Sequence, residues 1–173
     1  YDETLYGLGA TYRVNANVLL LAGVHDGFSA TSVSNNRGET SQNYEAGLRY
    51  QNASTSFEAI AFLTDFDNLI ATCTASSGCQ TEGDTFEGGS VEVSGLELAA
   101  ERVVDFAGRD VAMFLTYTLT ETEFGSSFEA NGYDLWGEVT QGDELPYVSR
   151  HQIGLGLAAQ FGNWDVNART KYK

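Results

Sequence analysis

Residues of opposite character alternate one for one along most of this chain, while helical spacing is hard to find. Tyr44, Ala46, Leu48 and Tyr50 are interleaved with Glu45, Gly47, Arg49 and Gln51. Val111, Met113, Leu115, Tyr117 and Leu119 are interleaved with Ala112, Phe114, Thr116, Thr118 and Thr120. Ile153 to Gln160 and Trp164 to Tyr172 follow the same rule. Successive side chains of a strand point to opposite faces, so each stretch reads as a strand with one apolar face and one polar or small face. The spacing predicts eight strands, over residues 5–13, 18–27, 43–51, 56–67, 91–103, 111–122, 151–160 and 164–173. A single Pro, 19 Gly and 12% aromatic residues accord with extended structure.

The connections constrain the fold further. Strands one and two, three and four, five and six, and seven and eight are joined by short turns near Asn15–Asn17, Asn52–Thr55, Asp105–Asp110 and Gly162–Asn163. The remaining connections are long, roughly 28–42, 68–90 and 123–150. In an antiparallel meander this puts every short turn at one end and every long loop at the other. A soluble sandwich has no reason to keep one end trimmed. A transmembrane barrel does, with short periplasmic turns and long external loops, and strands of this length suit its tilted span. The predicted fold is therefore all-β: an antiparallel meander of about eight strands forming part of a transmembrane β-barrel, its apolar face toward lipid and its polar face toward a wet lumen. Tyr12, Tyr50, Phe57, Trp164 and Tyr172 fall near strand ends, where a headgroup girdle would sit. Gly7, Gly9, Gly47, Gly95, Gly154 and Gly156 fall on the inward set, which suits a wall approached by a plug or a crowded narrow barrel.

Charge and motif content exclude several functions. With 24 Asp and Glu against 9 Lys and Arg, the chain is a poor partner for nucleic acid. No nucleotide fingerprint and no Gly-x-Ser-x-Gly elbow occurs, and His25 and His151 are the only histidines. Glu121 and Glu123 could be drawn as a glycosidase pair but sit at a strand end beside a loop, so no enzyme is read here. Asp65 and Asp67, with Asp84 and Glu87, match no calcium-loop spacing, so no metal site or cofactor is assigned. Acidic loops sharing divalent ions with lipopolysaccharide phosphates are the softer reading. Cys73 and Cys79 lie in a Ser/Thr/Gly loop with no His or other Cys nearby, which predicts a local disulfide in an oxidising compartment. The chain opens at Tyr1-Asp2-Glu3 and reads as a mature or excised piece.

Five segments in order then resemble one family. They are Val24-His25-Asp26-Gly27-Phe28-Ser29, Asn43-Tyr44-Glu45-Ala46-Gly47-Leu48-Arg49-Tyr50, the run Phe62 to Ile70, Gly95-Leu96-Glu97-Leu98, and the run Gly142 to Gln152. Together they resemble TonB-dependent outer-membrane receptors, in the ferric-citrate-type, siderophore-receptor branch, over nearly the whole chain. Departures lie in one loop: Asp26 stands where the family usually has a basic residue, Ala30-Thr31 replace prolines, and the Pro often found near Gly38 is absent. The resemblance implies a barrel of about 22 strands with an N-terminal plug, in the bacterial outer membrane. Residues 1–173 would supply one partial-barrel domain without the plug. Their partners would be a ferric chelate, outer-membrane lipid and lipopolysaccharide, the plug and remaining strands, and through the plug the TonB complex.

Candidate ligand contacts on the external loops are Arg37, Tyr133, Trp136, Tyr147 and Arg150, with His151 at the loop edge. Arginines and aromatics suit an anionic or catecholate chelate, although loop 123–150 has six acids and one base. Candidate lumen- or plug-facing residues are His25, Glu45, Arg49, Asp65 and Glu97. Two alternatives stand beside the receptor. One is a complete small eight-stranded outer-membrane barrel with a structural or adhesive role. The other is a secreted β-sandwich that binds carbohydrate through Trp136 and Tyr133.

Overall fold

The computed structural model describes residues 2–30, 38–72, 83, 85–87, 89–129 and 138–173. Its strands are β1 (Gly7–Arg13), β2 (Val18–Ser29), β3 (Glu39–Gln51), β4 (Thr55–Asp67), β5 (Ile70–Thr72), β6 (Thr85–Glu87), β7 (Val91–Asp105), β8 (Asp110–Phe124), β9 (Phe128–Glu129), β10 (Glu138–Val139), β11 (His151–Phe161) and β12 (Trp164–Tyr172). Eight of them form one antiparallel sheet in the order β1-β2-β3-β4-β7-β8-β11-β12. These are the eight strands the alternation predicts. Small two-stranded sheets, β5-β6 and β9-β10, occupy two of the long connections.

Side-chain chemistry closes the short turns. Asn15 Oδ1 accepts the backbone N–H of Asn17 and of Val18 at 2.8 and 3.0 Å. Asn52 Oδ1 does the same for Ser54 and Thr55 at 2.9 and 2.8 Å. Such Asx turns satisfy donors that a two- or three-residue connection would otherwise leave open. Between β7 and β8, Ala107 and Gly108 take φ of 55° and 74°, the left-handed pair that matches strand twist in a two-residue hairpin.

At the loop end several strands run further than the apolar pattern. The ladder between β2 and β3 continues to Ser29 opposite Glu39, through Thr40, Ser41 and Gln42. Backbone pairing needs no apolar side chain, so it outlasts the alternation that reveals it.

The register is continuous across all eight strands and fixes two faces. One row runs Tyr12, Leu20, Leu48, Ala59, Leu98, Tyr117, Ile153 and Tyr172. Every large hydrophobic residue of the strands that is left exposed belongs to this face, among them Leu8, Tyr12, Met113, Leu155, Trp164 and Val166. Among the described residues only Val91, Phe124 and Val139 are buried hydrophobics. No second layer covers the main sheet, so the two-layer interior of a sandwich is absent from the described residues.

The strands are also staggered. Along that row the turn end of the strand lies one residue on from Tyr12 (Arg13), three from Leu48 (Gln51), seven from Leu98 (Asp105) and eight from Ile153 (Phe161). A progressive shift of this kind is what tilted strands in a barrel wall require. The sheet is open, since β1 and β12 stand at its two edges and do not pair with each other. That sets aside the complete eight-stranded barrel, in which these two strands would meet.

Candidate functional site: the lumenal wall and its outer mouth

The face opposite the apolar one carries the polar residues. Its rows include His25, Asn43 and Thr64; Glu45, Phe62, Gly95 and Thr120; Ile60, Glu97, Thr118 and Gln152; and Arg49, Glu58, Thr116 and Lys171. His25, Glu45, Arg49 and Glu97 thus share one face, as do the six glycines predicted to point inward. Asp65 does not join them. It pairs with Gln42 and Glu92 and lies on the face of Leu63 and Tyr44. The near-repeat Asp65-Phe66-Asp67 hides this, because Phe66, the apolar residue, is the inward one there.

Hydrogen bonds order the inward face near its outer end. Thr64 Oγ1 donates to Asn43 Oδ1 at 2.9 Å, and Asn43 Nδ2 lies 3.3 Å from the His25 carbonyl and 3.2 Å from Ser41 Oγ. Lower on the wall Arg49 is ion-paired with Glu58. Glycine makes close packing possible between these groups. A Cβ on Gly95 would lie 2.1 Å from the Leu119 carbonyl oxygen and 2.6 Å from the Phe62 ring, so the ring occupies the space a side chain there would need.

The outer mouth is partly roofed from this side. Val91 and Phe124 are directly paired on the inward face, and they are buried by Val139, Phe128 and Leu145 from the connection between β8 and β11. The Phe124 and Phe128 rings meet edge to face at 5.6 Å. Backbone bonds fix the same crossing. Phe124 N–H donates to the Asp143 carbonyl, Gly142 N–H donates to the Phe124 carbonyl, and Leu145 N–H donates to Thr122 Oγ1, each at 2.9 Å. The stretch from 138 to 145 is a strap folded over the lumenal rim. Its apolar residues, isolated in a polar loop, are the signal that sequence reading passed over.

The external candidates separate. Arg37, Tyr133, Trp136, Cys73 and Cys79 lie outside the described residues. Tyr147 is fully exposed at 100% with a left-handed φ of 66°, a conformation unusual for a bulky side chain. Arg150 is ion-paired with Glu121, whose hydrogen bond and charge raise the guanidinium pKa above its ordinary value. His151 is not a loop residue. It opens β11 on the outward face opposite Leu119, and its Nδ1 lies 2.9 Å from the Tyr117 hydroxyl. Among the described residues no group of three or more His, Cys, Asp or Glu is placed to hold a metal ion.

A family model described as "TonB dependent receptor-like, beta-barrel" matches residues 1–173. No curated protein matches the chain. Among solved structures, the ferric yersiniabactin uptake receptor FyuA from Yersinia pestis is similar with a TM-score of 0.62 at 19% identity, over 94% of this chain and 24% of that one. The chain therefore spans about a quarter of the length of that receptor.

Proposed function

The chain belongs to the TonB-dependent receptor β-barrel family of the bacterial outer membrane, whose members are transporters rather than enzymes, and on that premise we propose that it is wall and mouth of an active importer of a ferric siderophore or similar iron chelate. The observation that carries the reading is the two-sided open sheet: one face apolar between its charged ends and uncovered, the other polar, glycine-rich and roofed at its loop end. The likeness to a siderophore uptake receptor supports the cargo class. In this reading β1 and β12 continue into further strands, the inward face meets a plug, the plug engages the TonB complex, and the outward face meets lipid and lipopolysaccharide. Tyr147 and Arg150 contribute to capture at the mouth, together with Arg37, Tyr133 and Trp136, and Cys73 and Cys79 are joined.

The test is uptake of radiolabelled iron by a strain lacking the gene, supplied one purified ferric chelate at a time. At least one chelate is expected to depend on the gene and on the transmembrane potential. Growth and uptake unchanged for every iron source would remove the cargo assignment. Intact mass before and after reduction tests the cysteines: the native chain is expected to be lighter by two hydrogens.

A further inference from the structure

The outward face is apolar except at its ends, and its charges are segregated. Its acids, Asp26, Asp65, Asp67, Glu92, Glu121 and Glu123, all stand toward the loop end. Its only arginine or lysine within the eight strands is Arg102, on β7. Arg102 lies three residues from the turn end at Asp105, which is about 10 Å along the strand. Glu101 and Asp105 belong to the opposite face. Among the described residues Arg102 has no ion-pair partner.

Arg102 borders an apolar groove of about 780 Å³. Two adjacent outward rows form it, with Phe57, Leu115, Met113 and Leu157 as walls and the short Ala100 and Ala168 giving it depth. This volume is in the range of small-molecule sites. A cation on a lipid-facing wall is costly unless it is near an interface or neutralised. Short turns mark the periplasmic side, so the inner leaflet, made of glycerophospholipid, lies beside Arg102. A guanidinium pairs with phosphate through two parallel hydrogen bonds. A second copy of the chain docking on this face would bring no acid to the level of Arg102, because the acids stand at the other end and copies in one membrane share an orientation.

We propose that this groove seats one inner-leaflet glycerophospholipid, with an acyl chain over Ala100 and Ala168 and the phosphate on the Arg102 guanidinium. The inference rests on the outward face meeting lipid and not on the cargo, so failure of the iron-uptake test leaves it standing.

The test is native mass spectrometry of the receptor that carries this chain, purified from outer membranes in detergent and titrated with dimyristoyl phosphatidylglycerol or with dimyristoylglycerol. The parent is expected to retain one phosphatidylglycerol in preference to the phosphate-free lipid. Arg102→Gln is expected to weaken that retention roughly tenfold, as loss of a charged hydrogen bond would. Ala100→Trp, which fills the groove, is expected to weaken it comparably. Arg102→Lys, which keeps the charge but not the paired hydrogen bonds, should keep only part of it, and Lys171→Gln, a cation lost from the other face, should change nothing. Heat-modifiable migration identifies the folded variants, and if Arg102→Gln does not assemble, Ala100→Trp decides. Equal retention of both lipids by the parent, no retained lipid, or a folded Arg102→Gln or Ala100→Trp variant that holds phosphatidylglycerol as the parent does would each overturn the proposal.

Discussion

Adjacent residues of this chain live in different solvents. Leu48 and Arg49 are neighbours on β3, yet the first faces outward beside Leu20 and Ala59 and the second faces the lumen, ion-paired with Glu58. Leu48→Arg would put a cation on the lipid side at a cost of about 2–4 kcal/mol near mid-depth. It is expected to abolish membrane assembly, read as loss of the heat-modifiable band, while Arg49→Leu assembles normally. Equal tolerance of both would contradict the assignment of faces. Gly95→Val meets a backbone oxygen as well as a ring, so overpacking of about 1–3 kcal/mol is expected. It should lower the unfolding temperature, and adding Phe62→Ala should restore only part of the loss, because the Leu119 carbonyl cannot move aside. At this scale the sequence is informative wherever chemistry alternates. His25, Glu45, Arg49 and Glu97 could be assigned to one face from period alone. Asp65 is misplaced when its charge is weighed ahead of its spacing: counted in twos from Leu63 it falls outward, where the register sets it between Gln42 and Glu92.

Among the elements, the strands were legible and their outer extensions were not. Alternation reports a change of surroundings between faces. Beyond the lipid boundary both faces of a strand meet water, so the pattern fades while the ladder continues, as from Gln42 to Glu39. The strap was equally hidden, since its order comes from contacts distant in sequence: Val139 and Leu145 on Val91 and Phe124. Val139 is only 5% exposed, and a carboxylate there would lose its water without gaining a partner. Val139→Asp is therefore expected to release the strap, seen as new protease cleavage between 125 and 150, with the heat-modifiable band unchanged. Protection equal to the parent's would mean that the backbone bonds to Phe124 and Thr122 hold the strap unaided. The short turns, by contrast, were plain from Asn15, Asn52 and Gly162, because their chemistry is local.

The molecule as a whole is a wall with two open edges. β1 and β12 each leave a row of backbone groups without a sheet neighbour among the described residues, and unpaired edges do not persist in hydrocarbon. Residues 1–173 refolded alone into detergent are expected to migrate identically with and without boiling. A faster unboiled band would mean that the edges close on each other. The alternation of short and long connections carried the architecture from sequence. The mouth was beyond its reach, since several of the residues expected to form it stand on separate loops whose relation no spacing encodes. The stepwise descent of the turns leaves this sheet almost no freedom of length. One residue inserted into a strand would exchange oil-facing and water-facing groups along the rest of it. Two would restore sidedness but lift that hairpin off its step. Drift in chain length is thereby channelled into the outer connections, where a receptor can change what it captures without breaking its seal.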